Sequence, residues 1–151
     1  MSITSANASV QMTTSVSFPQ GVTLDQFAVD DAWATEMVKM AEFAMGVDGH
    51  LSKGYVPVAK PLKISLQADS ESMPAFDQLC GNQDAAQEVE TVDIVIAIPG
   101  LAAQFTFHNG GLESGHRLPD AGKVLKKRDF QFQFEGLFYG PLAGAVASAI
   151  L

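Results

Sequence analysis

The sequence is poor in cysteine and in basic residues, and each shortage argues against a class of protein. Its single cysteine, Cys80, cannot form a disulfide within the chain, which excludes the disulfide framework of small secreted domains and indicates folding in a reducing compartment. Nine lysines and arginines stand against seventeen aspartates and glutamates, so the formal net charge is −8 at pH 7. Nucleic-acid clamps and proteins that dock on anionic lipid need a basic surface, and this composition disfavours both.

The sequence also lacks an apolar run long enough to cross a membrane. Its most apolar stretch, residues 137–151, has about 15 residues and contains glycine and proline, against the ~20 that a membrane-spanning helix needs. The opening segment, MSITSANASV, has neither the basic nor the apolar region of a signal peptide, so we expect none. An apolar stretch of this size is unusual on a soluble monomer and indicates a partner.

Residues that carry catalysis or bind metals are few and scattered. The three histidines, His50, His108 and His116, form no i, i+4 pair or close cluster, although the last two could meet across a glycine-rich turn. Cys80 falls on the apolar side of a predicted helix, where a packing role is more typical than a nucleophilic one. Glu90 precedes a predicted strand and is expected to be solvated. We therefore predict a protein that is not an enzyme and uses no metal or cofactor.

Alternation of apolar and polar residues is the dominant pattern, and it is typical of half-buried strands. With 47% hydrophobic residues, the 151-residue chain can build one core of its own. We therefore predict a single mainly β domain over residues 1–151, with an apolar C-terminal extension over about 137–151. The predicted strands are residues 10–18, 62–68, 91–98, 103–108 and 129–135.

Turn residues between the predicted strands favour an antiparallel meander. Pro99-Gly100 closes the strand 91–98, and the next strand follows at once. Asn109-Gly110-Gly111 is expected to end that next strand, because glycine readily takes the positive φ of a tight turn.

One helix is predicted over residues 71–86. Ser70 or Ser72 can cap it, and Pro74 suits its first turn. Residues 35–45 are ambiguous, because Ala, Met, Glu and Lys favour a helix there while the apolar positions fit neither period. The apolar residues on one face of the predicted helix are Met73, Phe76, Leu79 and Cys80.

Four of the nine basic residues form one cluster, namely Lys123, Lys126, Lys127 and Arg128. A basic cluster can bind nucleic acid. In a chain this acidic, however, we favour a contact in which the acidic face of one copy meets the basic edge of the next copy. Charged residues make up only 17% of the chain, which is also typical of a protein that buries surface against partners.

The layout of the sequence resembles that of bacteriophage tail tube proteins over most of the chain. The most specific segments are the AMGVDG turn and GKVLKKRDFQFQFEG. The other matching segments are SFPQGVTLDQFAVDDA, MAEFAMGVDGHLSKG, PLKISLQADSES and VDIVIAIPG.

The resemblance implies two packed antiparallel sheets, as a tail-tube-like β-sandwich or barrel, with one flanking α-helix and a protruding β-hairpin loop. It implies a structural subunit that forms stacked hexameric rings, whose lumen conducts DNA into the host. Residues 35–57 would then form the protruding hairpin, in conflict with the helix propensity of residues 35–45. The residues that would contact the adjacent ring are Met45, Gly46, Val47, Asp48, Gly49, His50 and Leu51.

A conduit for DNA should have a neutral or acidic wall, because lumen lysines would bind phosphate and slow passage. We therefore expect the basic cluster of residues 123–128 at a subunit edge or on the outside of the tube. The candidates for lining the lumen are Gln11, Thr13, Ser65, Gln67, Gln131 and Gln133.

The resemblance also implies partners and a location. The partners are other copies of the chain, a tape measure protein and DNA within the lumen, tail terminator and baseplate proteins, and a sheath protein if the tail is contractile; no membrane is involved. The protein would be made in the host cytoplasm and reside in the virion tail. One alternative is the tube of a type VI secretion-like injection system. Another is a β-sandwich module that binds a ligand such as carbohydrate through Trp33, Tyr55 and Tyr139, although Trp33 is more typically a core or interface anchor.

Overall fold

The computed structural model describes residues 8–24, 32–68, 70–118 and 120–141. In these residues the chain forms nine strands, one α-helix and a short 3₁₀ helix at Pro99–Leu101. The elements are β1 (Ser9–Thr14), β2 (Val22–Leu24), β3 (Trp33–Thr35), β4 (Ala41–Met45), β5 (Leu51–Tyr55), β6 (Lys60–Leu66), α1 (Met73–Ala86), β7 (Val92–Ile98), β8 (Ala103–Gly115) and β9 (Arg128–Pro141).

Seven of these strands form one antiparallel sheet in the order β2-β1-β7-β8-β9-β6-β3, and β4 and β5 form a separate hairpin. The sheet curls, so that Trp33 on its edge strand β3 shares an apolar cavity of about 200 Å³ with Ile96 of β7. The predicted mainly β class, with one helix and a protruding hairpin, is confirmed. The main body is a single sheet bent over its own core, with the hairpin as the second sheet.

The core follows from the alternation in the sequence. Every second residue of β1 and of the first half of β9, from Arg128 to Phe134, is buried, and Phe130, Phe132 and Phe134 all point inward. Helix α1 covers this face, and the ring of Phe76 stacks on that of Phe130 with centroids 4.5 Å apart. The predicted helix is therefore confirmed, with Cys80 packed on its buried side.

Strands β8 and β9 are both longer than predicted. Strand β8 is longer because Asn109-Gly110-Gly111 does not end it. Strand β8 continues to Gly115, with a register shift against β7 and a positive φ of 53° at Asn109. The glycines serve close packing instead: a Cβ on Gly110 would lie 2.3 Å from the backbone oxygen of Gln133 on β9.

Strand β9 likewise runs past its predicted end into the apolar extension. Residues 137–141 pair with β8, from Leu137 opposite Phe107 to Pro141 opposite Ala103. The rest of the extension, residues 142–151, lies outside the described residues.

The helix propensity of residues 35–45 is overridden, and the prediction of a hairpin is confirmed. Five residue pairs join β4 to β5, from Ala41 opposite Tyr55 to Met45 opposite Leu51. Residues 36–40 belong to neither helix nor strand. The helix propensity of this segment is outweighed because the turn around Asp48-Gly49, with a φ of 89° at Gly49, brings the two strands into register.

Candidate assembly surfaces

The hairpin β4–β5 ends in a compact turn over residues 46–50. The Gly46 N–H donates to the His50 carbonyl oxygen at 2.8 Å, and the Gly49 N–H donates to the Gly46 carbonyl oxygen at 3.0 Å. The carboxylate of Asp48 accepts from the His50 N–H at 3.1 Å. The turn is thus held by its own backbone and projects its side chains to the outside.

The two faces of the hairpin differ in chemistry. The register places Ala41, Phe43, Met45, Leu51, Lys53 and Tyr55 on one face, whereas the opposite face carries Glu42, Ala44, Ser52 and Gly54. Apart from Lys53, which lies opposite Phe43, the first face is apolar, and it is exposed: Phe43 keeps 60% of its surface exposed, Met45 66% and Tyr55 78%.

A two-stranded hairpin alone is marginally stable in water, and a contiguous exposed apolar face usually marks a contact site. The apolar face of the hairpin is therefore the leading candidate for an interface. Of the seven residues predicted to contact a neighbouring ring, Met45 and Leu51 lie on this apolar face. The other five, residues 46–50, form the exposed turn.

A second surface is formed by the segment that precedes β9, which we call the basic loop (residues 120–127). A bridge joins Ala121 to Leu125, and the Lys126 N–H donates to the Asp120 carbonyl oxygen at 2.9 Å. The side chains of Lys123, Lys126 and Lys127 are exposed, and none of them pairs with an acidic residue of the described ranges.

Arg128 does not share the surface of these three lysines, and its predicted place with them at a subunit edge or on the outside of the tube needs correction. It is 3% exposed, and its Nη2 pairs with Asp77 Oδ1 of α1 at 2.8 Å. Its Nε and Nη2 also donate to the His116 carbonyl oxygen, at 2.9 and 2.6 Å. The sequence holds the signal, because Arg128 is in phase with the inward-pointing Phe130.

The side of the seven-stranded sheet opposite the core, which we call the outer face, is largely polar. Gln11 and Thr13 are exposed on β1, Gln131 and Gln133 are half-buried on β9, and Gln67 follows β6 directly. Ser65 is different: it is fully buried and donates to a carboxylate oxygen of Asp129, so it offers no surface to a lumen.

The structure adds charged residues to the outer face that the sequence reasoning did not assign. Asp93 lies opposite Thr13, and Asp129 and Glu135 follow the same alternation on β9. Lys63 lies opposite Gln131 and is the basic residue that the described strands place on this face. Three carboxylates against one ammonium make the described outer face acidic.

Glu90 is buried, so the expectation that it is solvated is wrong. It is 9% exposed, and its Oε1 accepts from the backbone N–H groups of Val16 at 3.0 Å and Ser17 at 2.7 Å. The hydroxyl of Ser17 donates to Oε2 of Glu90 at 2.6 Å and accepts from Asn82 of α1. Glu90 thereby connects the turn after β1 to the helix. The sequence indicates its burial, because Glu90 is two residues before the buried Val92 and so falls on the core side in the same alternation.

The candidate chemical groups lie apart from one another. Cys80 is buried, and desolvation raises the pKa of its thiol, which keeps it protonated and unreactive. Trp33 is half-buried and packs against the core. Among the described residues, no three His, Cys, Asp or Glu side chains are placed to hold a metal ion. No helix in the described part of the chain is both long and apolar enough to span a bilayer.

Solved structures with a similar fold come from contractile injection systems. A chain in the anti-feeding prophage (AFP) baseplate matches with a TM-score of 0.57 at 6% identity, over 95% of this chain and 98% of that chain. A chain in the sheath/tube terminator of PVC, an extracellular contractile injection system, gives 0.58 at 10% identity, over 93% and 97%. A chain in the extended PVC sheath-tube complex gives 0.57 at 8% identity, over 87% and 88%.

At these identities the likeness concerns the fold, and it confirms the fold that the resemblance to tail tube proteins implied. No curated protein matches the sequence. The family described as "Tail fiber protein gp32" matches residues 1–138, which is most of the chain, and the protein therefore belongs to that family.

Proposed function

We propose that the protein is a structural subunit of a phage tail tube. In this proposal residues 1–151 form one tube domain, copies assemble into hexameric rings, and stacked rings enclose a lumen that conducts DNA. The observation that carries it is the hairpin, whose apolar face of Phe43, Met45, Leu51 and Tyr55 is exposed in the single subunit. Residues 45–51 of the hairpin then contact the adjacent ring.

The outer face of the sheet supports a lumen wall. Gln11, Thr13, Gln131 and Gln133 give it neutral polar groups, and the carboxylates of Asp93, Asp129 and Glu135 add negative charge. Six copies of charge −8 give a ring 6 × (−8) = −48. A wall of this kind repels phosphate and holds DNA weakly, which suits passage rather than storage.

The proposed role sets the partners and the location. Other copies of the chain form the rings and the stack, a tape measure protein and then DNA occupy the lumen, and terminator and baseplate proteins close the two ends. A sheath protein surrounds the tube if the tail is contractile. The subunit is made in the host cytoplasm, resides in the virion tail and has a structural rather than an enzymatic role.

A second candidate is the tube of a type VI secretion-like injection system, which the fold of the AFP and PVC chains favours. Assembly would be the same in both cases, and the cargo would differ. Particles that carry DNA would support the phage tail, whereas particles of the same shape without DNA would support the injection system.

Negative-stain electron microscopy and light scattering of the purified protein at high concentration test the proposal. We expect rings or tubes with a central lumen and a mass that is a multiple of 16.0 kDa. A particle that stays at 16.0 kDa and shows no ring at any concentration would contradict it.

A further inference from the structure

The hairpin and the basic loop connect to opposite ends of the stretch over which β6 and β9 are paired. Strands β6 and β9 are antiparallel neighbours over seven residue pairs, from Lys60 opposite Phe134 to Leu66 opposite Arg128. The hairpin leads into the start of β6, and the basic loop leads into the start of β9. Seven residues at ~3.3 Å each separate the two ends by roughly 20 Å.

Both ends expose apolar side chains beside their polar ones. On the hairpin, Val47 is fully exposed at the tip and Met45 is mostly exposed. On the basic loop, Val124 is 77% exposed and Leu125 is more than half exposed. Each surface thus offers aliphatic groups that a contact between copies would remove from water.

The charges of the hairpin turn, residues 46–50, and of the basic loop are complementary. On the strands of the hairpin, Glu42 pairs with Lys39 and Lys53 adds a positive charge, whereas the turn itself carries the carboxylate of Asp48. The basic loop carries three lysines against Asp120. A turn with one negative charge therefore has a counterpart with an excess of positive charge at the other end of the molecule.

We propose that the hairpin of one copy docks on the basic loop of the copy in the next ring. This rests on the proposed function, in which rings stack, and it names the receiving surface. Two different patches at opposite ends of identical copies make a head-to-tail contact, which repeats without closing and so builds an open stack.

The backbone of the basic loop is also held in one conformation before a partner binds. Its backbone is fixed by the Ala121–Leu125 bridge and by the Lys126–Asp120 hydrogen bond, and its end is anchored by buried Arg128. Docking on a preformed loop loses less conformational entropy than docking on a mobile one.

Another exposed apolar surface suits a stack less well. It is the end of β9, where Phe138 and Tyr139 are mostly exposed. Because Phe134 already faces the start of β6, residues 135–141 extend toward the hairpin's own end of the molecule. Two patches at the same end of the molecule cannot pair head to tail, so this surface is not the counterpart of the hairpin in a stack.

Crosslinking between introduced cysteines tests the proposal. The double variant Val47→Cys/Val124→Cys is assembled, checked for tubes by electron microscopy and treated with a short bismaleimide. Opposite ends cannot link within one chain, so we expect a ladder at multiples of 16.0 kDa on a denaturing gel. Each single variant should give at most a dimer, and the wild type, with Cys80 buried, should stay at the monomer mass.

The matched control is Val47→Cys/Tyr139→Cys, which should give no ladder. If the first double variant forms tubes but gives no ladder, or if the control gives the ladder instead, the proposed docking is wrong. Either result would still be compatible with stacked rings. A wild-type protein that forms no stack would overturn the proposed function and the docking together.

A charge exchange gives a second measurement that does not depend on cysteine. Asp48→Lys alone and Lys126→Glu alone should each raise the concentration needed for tube formation several-fold, and the two combined should restore it. Asp48→Lys combined with Lys63→Glu, on the outer face, should remain defective. Failure of the first pair to restore assembly would contradict the docking.

Discussion

Removing one phenyl ring from the hairpin, by Phe43→Ala, should abolish ring stacking and leave the subunit folded. Burying a phenylalanine fully stabilises by roughly 1.5–3 kcal/mol. Because 60% of Phe43 is still exposed in the single subunit, covering it with a neighbour contributes about 1–2 kcal/mol. If the six hairpins of a ring act together, the loss is roughly 6–12 kcal/mol per stacked ring.

A loss of that size lowers the stacking equilibrium constant by roughly four decades or more, at ~1.4 kcal/mol per decade. The assay is the protein concentration at which tubes first sediment, read together with negative-stain images of the pellet. The free energy of unfolding of the dilute subunit, measured with urea, should change by less than about 1 kcal/mol, because the mutated side chain is largely exposed.

The matched control is the same substitution at a buried ring, Phe132→Ala. Phe132 is fully buried in the core, so its loss should lower the free energy of unfolding by about 3–5 kcal/mol. Tubes of the Phe43→Ala protein at the wild-type concentration would refute the reasoning, as would equal losses of stability in the two variants.

Three further predictions concern other parts of the chain. Deleting residues 46–54 should leave a folded subunit whose rings do not stack, and stacked tubes of this variant in electron micrographs would rule out the hairpin as the inter-ring contact. Glu90→Ala should lower the free energy of unfolding by about 2–4 kcal/mol in urea titrations, because two backbone N–H groups and a hydroxyl lose a charged acceptor; an unchanged midpoint would mean that the carboxylate does not hold the turn. Since burial raises the pKa of the Cys80 thiol, the thiolate should appear only at higher pH than in an unfolded chain, so native labelling by iodoacetamide between pH 7 and 9 should be slower than in urea; equal rates would indicate that the thiol is accessible.

The alternation of apolar residues predicted much of the fold. Val10, Met12 and the three phenylalanines of β9 are buried as their period-two spacing indicated. The helix, predicted over residues 71–86, was also predictable from spacing, here the helical spacing that places Phe76 and Leu79 on one face. These features depend on local spacing, which the sequence displays directly.

The lengths of β8 and β9 depend on partners far away in the chain. A glycine pair can form a turn or admit a close neighbour, and for Gly110 the choice is made by Gln133 and Phe134 on the adjacent strand. The hairpin is a similar case, because pairing between residues 41–45 and 51–55 outweighs the helix propensity of either segment alone.

The burial of charged residues was the least accessible part of the candidate surfaces. Arg128 and the neighbouring lysines form one charge cluster in the sequence, yet only Arg128 finds an acceptor on α1 and on the backbone of His116. The buried position of Glu90 depends on its hydrogen bonds with Ser17, which lies 73 residues away in the sequence. Their phase with the core positions was informative, but the partners that stabilise them could be identified only in the folded chain.

Hydrogen exchange of the assembled protein, compared with the diluted subunit, tests most directly whether the hairpin is completed by a neighbouring copy. The account predicts strong additional protection of the amides of residues 41–55 on assembly, while the amides of the core strands β1 and β7 change little. Assemblies in which residues 41–55 exchange as fast as in the dilute subunit would contradict it.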